Sequence, residues 1–100
     1  MQISDVQLKG NYYLIFDAKG KKSSELSKSY GELCGFGTDF FVLKKGNYYI
    51  TYDDRSKKIA ELSSSYGDFK NASGFTFTLL KGRYIITYDE NCKKTGERPV

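Results

Sequence analysis

Three aspartates, Asp17, Asp53 and Asp89, stand 36 residues apart, as do Lys22, Lys58 and Lys94 and also Glu25, Glu61 and Glu97. Paired carboxylates can divide acid and base work. The same spacing has a plainer account. Asp53 closes an apolar run just before a turn and Lys57 and Lys58 follow it, which predicts a weak cross-strand ion pair. Other reactive side chains are scarce. Histidine is absent, which excludes Ser-His-Asp and Cys-His arrangements. Cys34 and Cys92 form no CxxC and have no activating base in a recognisable motif, so neither covalent catalysis nor a zinc site is indicated. They fall at different points of the repeated spacing and are read as two free thiols, which suits a reducing compartment such as the cytoplasm. The glycines of GFGTDF (35–40) lead into a strand pattern and lack the GxxxxGK[ST] arrangement that cradles phosphate. No catalytic residue, metal or cofactor is expected.

The spacing itself organises the chain. LKGNYYLIFDAKGKK (8–22) returns as KKGNYYITYDDRSKK (44–58) and as LKGRYIITYDENCKK (80–94), with no gap in the offset. Repeats of 20–50 residues mark architectures in which one unit cannot bury its own apolar face. Alternation in YYITYDD reads as a strand. Gly46-Asn47 before it suits a tight hairpin turn, and Asp54-Arg55-Ser56 after it supplies a second turn leading into KKIAELS. SYGELCGFG (29–37) and SYGDFKNASG (65–74), rich in small residues, are loops or short strands against a crowded centre. No segment has helical periodicity. The prediction is an all-β, antiparallel fold of three hairpin units, approximately 1–37, 38–74 and 75–100, in one domain of 100 residues.

Two closures fit that plan. Four-stranded blades in the manner of a β-propeller would need a homodimer, or a remainder of the chain beyond these residues, to complete a ring; a pseudo-threefold prism or trefoil-like barrel would close as a monomer. The order Lys44-Lys45-Gly46, Tyr48 to Asp53, then Tyr66-Gly67-Asp68-Phe69 and Gly74 resembles the bacterial WG tandem repeat, with Tyr48-Tyr49 where that family has Trp-Gly. The resemblance implies a binding or scaffolding role. The spacing is also similar to that of monocot mannose-binding lectins, but Leu43 and Lys45 stand where their Gln and Asp would precede Asn47.

Surface chemistry narrows the partners. A net charge of +4, with 16 basic against 12 acidic residues, permits contact with anionic molecules without demanding it. Tyr12, Leu14 and Phe16, with Tyr48, Ile50, Tyr52, Tyr84, Ile86 and Tyr88, read as the repeated core face. On that reading Tyr13 and Tyr49 project outward with Asp17, Asp53, Asp89, Lys58 and Lys94, a repeated Tyr/Asp/Lys surface for a protein partner. Stacking of a sugar ring on the tyrosines, in weak repeated sites, is the alternative. Single-stranded nucleic acid against the Lys and Tyr residues comes third. No run is long enough to span a membrane as a helix, and no signal peptide is visible.

Overall fold

A computed structural model describes residues 2–100. The first sheet holds β1 (Ile3–Lys9), β2 (Tyr12–Asp17) and β3 (Lys22–Ser27). The middle sheet holds β4 (Glu32–Phe36), β5 (Phe40–Lys45), β6 (Tyr48–Asp53) and β7 (Lys58–Ser63). The third holds β8 (Asp68–Ser73), β9 (Thr76–Lys81), β10 (Tyr84–Asp89) and β11 (Lys94–Pro99). Each sheet is an antiparallel meander in chain order. The all-β expectation holds, and the small-residue segments are strands: β4 and β8 open the second and third sheets, each preceded by a 3-10 turn, at Lys28–Tyr30 and Ser64–Tyr66. Sheet boundaries therefore fall one strand earlier than the units read from the repeat.

Turn chemistry explains the meander. Gly46, at φ 59°, starts a two-residue loop with Asn47, and Lys45 pairs with Tyr48 across it. At the other end of each sheet the second hairpin uses a longer loop whose αL position falls to Gly20, Ser56 or Cys92, at φ 77°, 62° and 61°. In that loop the Gly20 amide donates to the Asp17 carbonyl at 3.0 Å and the ladder shifts register, as in a type I turn with a bulge. Only the first copy has the residue type that adopts this angle without strain. A Cβ at Gly20 would meet nothing within 4 Å, so Gly20→Ala isolates the backbone term. We expect it to destabilise the fold by about 1 kcal/mol in urea melts, with an unchanged m-value.

The three sheets stack in a row, and the middle one is buried on both faces. Val6, Tyr13, Ile15 and Leu26 of the first sheet pack with Phe41, Leu43 and Tyr52 of the middle sheet. On the other side, Phe40, Val42 and Tyr49 pack with Phe77, Leu79 and Tyr88 of the third. Phe77 stacks on both Phe69 and Tyr88, with centroids 6.2 and 5.6 Å apart. Two hydrophobic clusters thus share the middle sheet, one on each of its faces. The principal extents of 38 × 26 × 19 Å accord with a row. The first strands of the sheets converge: β4 packs on β8, and the Ile3 amide donates to Thr38 carbonyl (2.5 Å) while the Thr38 amide donates to Gly74 carbonyl (2.6 Å).

The end faces differ from the inner ones. Positions that in the middle sheet are Phe40 and Val42 are Thr76 and Thr78 in the third, cross-strand from Asp89 and Thr87. Likewise Phe41 and Leu43 correspond to Asp5 and Gln7 in β1, where the Gln7 amide donates to the Asp5 carboxylate at 2.8 Å. Among the described residues nothing covers these two faces, and polar side chains suit a face left to solvent.

Candidate functional site

Tyr13 and Tyr49, expected to project outward, are 5% and 2% exposed. Each bolts one sheet to the next. The Tyr13 hydroxyl donates to the Gly31 carbonyl at 2.8 Å and accepts from the Leu33 amide at 3.1 Å; the Tyr49 hydroxyl donates to the Gly67 carbonyl at 2.9 Å. Burial pushes the Tyr49 hydroxyl above its ordinary pKa, and Lys44 Nζ lies 5.9 Å from its ring centroid. Among the described residues no sheet follows the third, and there the position is Ile85. These tyrosines are structural ties and leave the list of contact residues.

The aspartates are accounted for by the turns. Asp53 Oδ1 accepts the backbone amides of Arg55 and Lys57, both at 2.9 Å. Asp17 Oδ1 takes those of Lys19 (2.9 Å) and Lys21 (3.0 Å), and Asp89 Oδ1 those of Asn91 (2.9 Å) and Lys93 (3.0 Å). The ion pair predicted between Asp53 and the following lysines does not form. A short carboxylate bonds the backbone of its own turn more readily than a side chain that must fold back. Lys58 instead pairs with Glu61, and Lys94 with Glu97; Lys22 lies 3.4 Å from Glu25. All three pairs are half exposed, where such contacts add little stability.

One carboxylate is held less comfortably. Glu90, in the β10–β11 turn, is raised above the usual glutamate pKa, first by burial and then by the charge of Asp39, whose Oδ1 is buried without a partner. Its backbone is anchored, since Thr51 Oγ1 donates to the Glu90 carbonyl at 2.7 Å. A raised acid stabilises the fold while protonated and loses that contribution as pH climbs through the ordinary glutamate range and beyond. Glu90→Gln should therefore raise the melting temperature at neutral pH and leave it unchanged near pH 3, below the ordinary glutamate pKa of about 4.3. Equal shifts at both pH values would refute the assignment.

What remains free is concentrated at one end. The first-hairpin tips carry Tyr12, Tyr48 and Tyr84, which were expected in the core and are 49%, 46% and 50% exposed. Tyr30 and Tyr66, on the 3-10 turns, are equally open. Neighbouring tips are tied across these turns: Lys45 Nζ donates to the Ser29 carbonyl (2.6 Å) and Lys81 Nζ to the Ser65 carbonyl (2.7 Å). The tips and turns gather Lys9, Lys28, Lys44, Lys45, Lys81, Arg83 and Arg98 against Glu32 and Asp68 alone. The chain's positive charge of +4 is thus polarised to this end, leaving the opposite end close to neutral. A hollow of about 430 Å³ opens there beside Asn11, Ser27, Lys28 and Ser29. A second, of about 290 Å³, lies under the first-sheet turn at Asp17, Ala18 and Lys19, where the other two turns lean on a preceding sheet.

Both cysteines are free and half buried, and burial raises both thiols above the ordinary value. Among the described residues no group of three or more His, Cys, Asp or Glu side chains could hold a metal ion, and no helix is long and apolar enough to cross a membrane. No family model and no curated protein matches the chain.

Proposed function

We propose that this chain is a non-catalytic β-repeat binding module whose work is protein interaction or scaffolding, through the hairpin end of the stack. The observation that supports this reading is the row of exposed Tyr12, Tyr48 and Tyr84, one per sheet, set among lysines without a carboxylate partner on tips fixed by main-chain hydrogen bonds. Tyrosine and basic side chains on rigid backbone suit protein contact, since an amphipathic ring gives area at little entropic cost. The stacking is read as that of propeller blades, in keeping with the WG-like order of the residues. The polar outer faces of the first and third sheets do not favour ring closure by a second copy, which directs attention to the hairpin end.

The polarised charge favours one competing reading, single-stranded nucleic acid lying over the same tyrosines. A photo-crosslinking residue at position 48, compared with one at position 78 on the outer face of the third sheet, tests both. Specific protein adducts at 48 that disappear with Tyr12→Ala and Tyr84→Ala support the module. Adducts to RNA or DNA whose yield falls steeply with salt would replace it with the nucleic-acid reading, and equal labelling from both positions would sink the surface altogether.

A further inference from the structure

The first sheet has three strands where the others have four. Its β1 pairs with β2 on one side and, among the described residues, with no strand on the other, where only the Ile3 amide is taken, by the Thr38 carbonyl, whereas β5 and β9 are flanked by β4 and β8. The two-residue loop at Gly10-Asn11 makes Lys9 and Tyr12 a hydrogen-bonded pair, so the amides and carbonyls of Leu8 and Val6 point away from β2. That side is open: Leu8 is 53% exposed. The Val6 amide is occupied by a carboxylate, Asp5 Oδ1 at 2.9 Å, a device that discourages indiscriminate pairing along a bare edge.

We infer that the free edge of β1 is a strand-addition site for an extended polypeptide segment of the β4 type: Tyr-Gly, an acid, an apolar residue, any residue, then Gly and an aromatic. The repeat displays what fits. On β5, Glu32 lies opposite Lys44 and Gly35 opposite Val42, and the matching residues of β1 are Leu8 and Val6. Sterics demand one glycine of the added strand and favour a small residue at a second place. A Cβ on Gly31 would sit 2.7 Å from the Lys44 carbonyl oxygen, and one on Gly35 would press on the Phe69 ring at 3.2 Å. Leu33 and Phe36 of β4 stand where β8 has Phe69 and Ala72. A strand added to β1 meets those two side chains as β4 meets β8, and needs a small residue at the same place. Main-chain hydrogen bonds supply the affinity, and the glycine positions and displacement of Asp5 supply the selectivity. This site adjoins the hairpin end at Leu8 but does not rest on the function proposed for that end.

The probe is a labelled peptide of residues 28–37 carrying Cys34→Ser, titrated against the whole chain by fluorescence anisotropy. Saturable binding is expected, with amide shifts confined to Ser4, Val6, Leu8 and β4. Leu8→Pro removes a donor facing the open side and spares the β1–β2 ladder, so it should weaken binding about tenfold, the worth of one or two backbone hydrogen bonds. Gly35→Phe in the peptide, with the protein untouched, should abolish it and decides the matter should Leu8→Pro fail to fold. No saturable binding, or binding indifferent to the peptide's Gly35→Phe, overturns the inference.

Discussion

Tyr49→Ala is expected to destabilise the protein by about 3–5 kcal/mol, a large part of what holds a domain of this size together. The ring is buried between the middle and third sheets, in contact with Phe69 at a centroid distance of 6.1 Å. Chemical denaturation with circular dichroism detection measures the loss directly. Tyr49→Phe keeps the ring and leaves the Gly67 carbonyl without its buried donor, at a smaller cost of about 1–3 kcal/mol. A Tyr49→Ala protein as stable as the parent would return this residue to the surface and undo the account of how the sheets are tied.

The second large effect is at the other end of that hydrogen bond. Gly67 follows the 3-10 turn at φ 149° and ψ 176°, a region open only to glycine, and a Cβ there would lie 2.8 Å from the Leu80 carbonyl oxygen. Gly67→Ala is therefore expected to cost about 3 kcal/mol or more, by strain and by displacement of the β8 start. Because the moved carbonyl is the one Tyr49 bonds, Gly67→Ala combined with Tyr49→Phe should cost less than the two changes summed. Strict additivity in that cycle would mean that the hydroxyl and the glycine act separately.

Much of this fold is local, and local chemistry was legible. The 36-residue repeat, the glycine turns and the alternating runs identify the strands because each depends on neighbours in sequence. The facing of the strands was not legible from alternation. Period two sorts Tyr48 from Tyr49 but does not say which side is covered, and in the middle sheet both sides are. Tyr48 begins its strand beyond the cover of the adjoining sheets, whereas Tyr49 reaches a carbonyl 18 residues away. A signal was present in the third copy, where Ile85 replaces Tyr and Thr76 and Thr78 replace Phe40 and Val42. Copies that differ at one face mark the sheet with no neighbour. The aspartates likewise had a local explanation, an Asx turn, that competed with the ion pair and prevailed because backbone amides are already in place.

Because the two apolar interfaces lie in series, with the middle sheet contributing to both, the molecule has the energetics of a short one-dimensional chain. Its cooperativity must pass through β5 and β6: loss of either outer sheet leaves one interface standing, while loss of the middle sheet leaves none. Native-state hydrogen exchange should accordingly grade the amides by sheet, with Val42, Leu43 and Thr51 opening last and the three-stranded first sheet fraying ahead of them.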